Sequence, residues 1–155
     1  MTAWDWAVHA YARPGAQSLC LRLQDEHGQC ISYLLWAAWA AEGGREVDGV
    51  GLAQAAVLAR DWERAVLGPL RSARRALRQP LAGIDAAGQD SLRARLQADE
   101  LAAERLLLEA LEAMTPVDTG APRSLDQALS EAAKAWGDPP PAALLEALGR
   151  AFSNV

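Results

Sequence analysis

The chain reads as all-α: a compact helical bundle of about six or seven helices around one buried central helix. Three observations predict this. β-Branched residues are scarce while Ala, Leu, Arg, Glu and Gln abound, which is a helix-forming inventory. Apolar residues recur at spacings of three and four in several segments. The run from Ile31 to Ala41 carries no charge and a single polar side chain, Ser32. On a helix, Ile31, Leu34, Leu35, Ala38 and Trp39 fall on one stripe, while Tyr33, Trp36, Ala37 and Ala40 fill much of the remaining circumference. Other helices are therefore expected to cover it on both sides.

Taken in order, Thr2 is a good N-cap, and Asp5 places a negative charge near the positive end of a first helix. Trp4, Val8 and Tyr11 form its stripe, and Pro14 biases Arg13 away from helical angles, so the helix ends near Ala12. Pro14-Gly15 opens a second helix that buries Ala16, Leu19, Cys20 and Leu23 and stops at Gly28. The central helix follows and ends at Gly43-Gly44. Asp48 caps the next, whose stripe is Leu52, Ala55, Ala59, Trp62 and Val66. Pro69 lacks a backbone donor, so the chain must kink there or restart, and a restart as a basic helix is expected. After a break at Leu81-Ala82-Gly83, a long helix runs from about Asp85 to Met114. Its expected stripe is Leu92, Leu96, Ala103, Leu107, Ala110 and Met114, with Glu100, Glu104, Glu109 and Glu112 largely off it.

The segment from Thr115 to Pro122 is rich in turn-favouring residues. The expected organisation is a helical core domain over 1–114, a linker over 115–123 and a C-terminal helical pair over 124–155. Ser124 with Gln127 caps the first of the pair, carrying Leu125, Leu129, Ala132 and Trp136. Leu144, Leu148 and Phe152 mark the second. A stripe bearing Trp136 and Phe152 is costly to leave in water, so the pair is expected to pack back on the core.

Composition bounds the class of protein. At 155 residues, with 51% apolar and 23% charged residues, the chain can close one core and wholesale disorder is excluded. The central run is well short of the roughly 20 apolar residues that span a bilayer, so no membrane association is expected. Met1-Thr2-Ala3-Trp4-Asp5 carries an acid where a signal peptide would carry a base, which points to a cytoplasmic location. Cys20 and Cys30 are too few for a disulfide framework and are expected as free thiols. A net charge of −5 weakly disfavours nucleic acid as a partner.

Several short patterns occur in a fixed order: Trp4-x-Trp6-Ala7, Tyr11-x-x-Pro14-Gly15, Cys20-Leu21-x-Leu23-Gln24-x-x-x-Gly28 and Leu34-Leu35-x-x-x-Trp39. Trp62-x-x-x-Val66-x-x-Pro69-Leu70-Arg71-x-x-Arg74-Arg75-x-Leu77 follows. Together they resemble a small uncharacterised bacterial family, a domain of unknown function, over residues 2 to about 80 and as far as 114. The resemblance implies a cytoplasmic bacterial helical protein with no assigned activity. The chain departs from the family pattern at the start of the central helix, where Cys30 and Ser32 stand in place of an acid and Asn.

The feature that points most directly to a function is Arg71, Arg74, Arg75 and Arg78. On a helix they share one face beside Leu70, Ala73 and Leu77, and no acid lies between Arg64 and Asp85. Arg forks match carboxylate and phosphate geometry, so the stripe suits an acidic protein or another anionic ligand. The bland alternative is that the long acidic helix that follows neutralises it. A non-catalytic interaction or adaptor module is the leading expectation. A small-molecule or enzymatic cleft near the first three helices, using Asp5, His9 and Tyr11 with Trp36, is the second, and nucleic-acid backbone binding through the same arginines is the third.

Asp5 and His9 stand one turn apart, as a carboxylate-imidazole pair would, although a local hydrogen bond explains the spacing as well. Trp4, Trp39, Trp62 and Trp136 lie on expected core stripes, whereas Trp6 and Trp36 fall off theirs and are the candidates for exposed aromatic contacts. Cys20 reads as a small core residue and Cys30 as a thiol mildly acidified at a helix start. No His/Cys spacing suits a metal, and no phosphate loop, nucleophile elbow or dinucleotide fingerprint implies a cofactor.

Overall fold

The computed structural model describes residues 1–117 and 120–153. Asp118 and Thr119, inside the expected linker, and the last two residues of the expected C-terminal pair lie outside the described residues. Eight α-helices and no strand occur among the described residues: α1 Ala3–Tyr11, α2 Ala16–His27, α3 Ile31–Glu42, α4 Gly49–Trp62, α5 Gly68–Ala76, α6 Ala86–Ala113, α7 Leu125–Trp136 and α8 Ala142–Ser153. A π turn, Glu63–Leu67, joins α4 to α5 without a break. The described helices therefore form seven rods.

Helix α3 is the axis. Every residue from Ser32 to Ala41 is buried, and α1, α2, α4, α6 and α7 all pack against it. Its alanines let neighbouring backbones approach, and α7 meets it with Ala128, Leu129, Ala132 and Ala133 inward. The polar tips of its aromatic residues all find partners, as buried donors must. Tyr33 Oη donates to the Leu52 carbonyl at 3.1 Å, Trp36 Nε1 to Thr115 Oγ1 at 2.8 Å, and Trp39 Nε1 to the Met1 carbonyl at 3.2 Å.

The local signals behave largely as their chemistry dictates. Thr2 caps α1 by accepting from the Asp5 amide, Asp48 and Asp85 cap α4 and α6, and Ser124 caps α7. Just past α3, Gly44 sits at φ +67° with its carbonyl accepting from the Gly120 amide at 2.6 Å. A Cβ there would lie 2.2 Å from the Gly120 oxygen, so this crossing of two loops admits only glycine.

Four expectations need correction. Helix α1 buries Ala3, Trp6, Ala7 and Ala10 rather than Trp4, Val8 and Tyr11, because its small residues let it lie close to α3. Trp6 and Trp36 are consequently not exposed contacts. Trp6 packs edge-on against Phe152 of α8 with ring centroids 5.5 Å apart and donates to Glu42, and Trp36 is only 1% exposed. Pro69 does not restart the chain: the Gly68 amide reaches back five residues to the Glu63 carbonyl, and this wide turn absorbs the missing donor and the ring. Helix α6 buries Gln89, Glu100, Ala103, Leu107, Leu108 and Leu111, leaving Leu92 and Met114 exposed.

Candidate functional site

The π turn is what aims the arginines. Each residue of an α-helix advances about 100°, so widening the turn by one residue rotates α5 by roughly that much relative to a regular continuation of α4. Arg71 thereby turns inward and is 9% exposed. Its Nη1 lies 2.5 Å from Glu63 Oε1 and its Nε 3.2 Å from Glu100 Oε1. Arg74 Nε takes the other Glu100 oxygen at 2.5 Å. Glu100, expected off the α6 stripe, is buried because two guanidinium groups hold it there. Burial is the largest single influence on Arg71 and lowers its pKa, but the charge and hydrogen bond of Glu63 together with the charges of Glu100 and Glu104 outweigh it and hold the group above its ordinary value.

Arg75 pairs with Asp25 at the end of α2. Burial pushes the Asp25 carboxyl up, and the hydrogen bonds from Arg75 and Gln24 more than reverse this, leaving it below the ordinary range. Arg78 has no carboxylate in ion-pair reach among the described residues and stands exposed. Among the described residues, one of the four arginines is thus free of an internal acid.

Of these side chains Arg74, Arg75, Arg78, Asp25 and Glu100 border a cleft of about 710 Å³ between α1, α2, α5 and α6, with the start of α3 as its floor, and Arg71 and Glu63 lie behind it. That volume falls in the range of small-molecule sites. Trp4, Val8 and Tyr11, the stripe that periodicity assigned to the core, form one wall. Cys20, Ser32, Leu35 and Leu108 are buried at the bottom. Val8, Leu21 and Leu101 stand at the mouth, 48%, 42% and 53% exposed, so the rim carries apolar surface as well as charge. Arg74, Arg75 and Arg78 line the α5 side.

Polar groups without internal partners also collect here. Ser32 is 6% exposed, and its hydroxyl makes no hydrogen bond among the described residues. Glu104 of α6 receives no hydrogen bond either; burial, reinforced by the neighbouring Glu100 charge, pushes its carboxyl up to about 7. Tyr11, unlike these two, has a side-chain partner in Gln17; burial, then Cys20 and Glu104, raise its pKa and more than offset the lowering by that hydrogen bond. Five of the six Trp indoles donate within the fold, and the sixth, Trp4, lines the cleft with no such acceptor among the described residues.

A family described as a protein of unknown function (DUF2390) matches residues 2–111. The chain belongs to this family. All the residues that line the cleft, Trp4 to Leu108, fall inside the DUF2390 segment, and α7 and α8 lie beyond it. No curated protein and no solved structure matches the chain.

The structure separates the other candidates from this site. His9 Nδ1 lies 2.6 Å from the backbone carbonyl of Asp5, while the Asp5 carboxylate accepts from the Thr2 hydroxyl at 2.8 Å. Asp5 and His9 therefore form no carboxylate-imidazole pair, and neither lines the cleft; of that trio only Tyr11 does. Trp36 is sealed in the core. Cys30 is not acidified: it is 4% exposed, and burial pushes its thiol up to about 12, as it does that of Cys20. Among the described residues no group of His, Cys, Asp and Glu is placed to hold a metal ion, and no helix is long and apolar enough to cross a membrane. Sequence reasoning passed over Glu104 and Ser32. Ser32 carried a signal, as the sole polar side chain in an otherwise apolar run.

Proposed function

We propose that the protein is a non-catalytic binding module whose cleft takes a small amphipathic anion. The observation that carries this is the join of a cavity of about 710 Å³, apolar along the α1 wall and the α3 floor, to Arg78, a cation with no internal acid among the described residues. A ligand with an apolar body buries it against Trp4, Val8, Leu35 and Leu101, and its anionic group takes the Arg78 fork with Arg75 beside it. An adaptor role displaying all four arginines to an acidic protein has less support, because Arg71, Arg74 and Arg75 are engaged by Glu63, Glu100 and Asp25. Docking of an acidic segment on Arg75, Arg78 and the apolar rim remains the second reading, supported by the exposure of Val8, Leu21 and Leu101 at the mouth. Three internally paired arginines on a chain of net charge −5 leave nucleic-acid backbone with the weakest support.

The test is titration calorimetry with octanoate on the native chain and on Arg78→Glu. Saturable 1:1 binding that weakens about tenfold in the variant, or about 1.4 kcal/mol, is expected. No saturable heat, or equal affinity in the two proteins, would reject the proposal.

A further inference from the structure

Two arginines, Arg71 and Arg74, face three carboxyls on the inner side of the cleft: Glu63 and Glu100, which they bind, and Glu104, which they do not. When Glu104 ionises, this inner group has one negative charge in excess, held in a buried setting where an unpaired charge is costly. What is missing is a cation. The same cleft offers two further oxygens, the hydroxyls of Tyr11 and Ser32. Ser32 is the stronger observation: the residue is 6% exposed, its hydroxyl has no hydrogen-bond partner among the described residues, and its oxygen is open to the cleft rather than sealed in the core. A carboxylate and two hydroxyls match the three N–H donors of a primary ammonium group.

We infer that the cleft recognises a zwitterion: a primary ammonium held by Glu104, Ser32 and Tyr11, an apolar body, and an anionic group at Arg78. This rests on the anion-binding reading above and extends it to the other end of the ligand. The charged and titratable groups that act on Glu104 or feel it come from several elements: Tyr11 on α1, Cys30 at the start of α3, Glu63 in the π turn, Arg71 and Arg74 on α5, and Glu100 on α6, while Cys20 and Asp25 of α2 line the same cleft. Cys20 and Cys30 are thiols throughout the neutral range, and Glu63, Glu100 and Asp25 are held by arginines. Glu104 is therefore the group whose charge a bound cation changes.

Calorimetry with octanoate and 8-aminooctanoate, on the native chain and on Glu104→Gln, tests this. The amino acid should bind about tenfold more tightly than octanoate to the native chain and no more tightly than octanoate to the variant. Repeated at pH 7 in buffers of different ionisation enthalpy, its binding should release about half a proton, since Glu104 is then near half-ionised and the cation completes the ionisation. Octanoate should release none. Octanoate binding that depends on Arg78, with no gain from the ammonium or a gain that survives in Glu104→Gln, would overturn the zwitterion inference and leave the anion reading standing. Binding of neither compound would overturn both.

Discussion

Glu104 and Glu100 are one helical turn apart on the same face of α6, yet their surroundings treat them oppositely. Glu100 is saturated by Arg71 and Arg74, whereas Glu104 lies partly buried beside that charge without a donor of its own. The pH consequence has a definite sign. The folded chain holds the Glu104 proton to about pH 7, against an ordinary value of 4.5. Its contribution to stability is thus full below pH 4.5 and lost as pH rises to about 7. Urea denaturation across that range should show stability falling with pH, and Glu104→Gln should remove this component. Asp25 and Glu131, whose carboxyls are held low, lose their contributions at the acid end instead, so the windows separate. Glu100→Ala behaves differently: it leaves the partly buried Arg74 guanidinium without its carboxylate and Arg71 with Glu63 alone, and should cost about 3 kcal/mol in the same assay.

Helices in this chain were legible where one residue class decided the outcome. The uncharged run marked α3, and Thr2, Asp48 and Ser124 marked three helix starts through caps that need only local chemistry. Helix faces were less legible. An apolar stripe such as Trp4, Val8 and Tyr11 shows only that a surface avoids charge, and a cleft wall meets that condition as well as a core does. The alanines that bury α1 carry little hydrophobic signal, yet they set how closely it approaches α3. The inward turn of Arg71 was illegible because it depends on the π turn and on Glu100, 29 residues away. Between elements, the close crossing of Gly44 and Gly120 is the most restrictive point. Gly44→Ala adds a Cβ against backbone at a left-handed position and should lower unfolding stability by about 2 to 4 kcal/mol, measured by urea midpoint at an unchanged slope.

At the scale of the whole molecule, burial of α3 by five neighbours explains both the stability and the cleft. Helices α1, α2 and α6 each use one side to cover α3, and where they diverge around its first turn a gap is left, floored by Ser32 and Leu35. Filling the tight side of this packing should be punished: Ala38→Leu, at a site with no exposed surface, should cost about 1 to 3 kcal/mol by overpacking. A binding function, by contrast, should touch only the open side. The six indole N–H groups report on the two sides separately, because Trp6, Trp36, Trp39, Trp62 and Trp136 are bonded within the fold and Trp4 lines the cleft. The most direct measurement is a nitrogen-proton correlation spectrum of these six resonances during titration with octanoate, with Trp4→Phe supplying the assignment. A saturable shift of the Trp4 resonance, with the other five nearly still, is the predicted result. A Trp4 resonance that does not move at saturating octanoate, or movement confined to the five core indoles, would contradict a binding cleft.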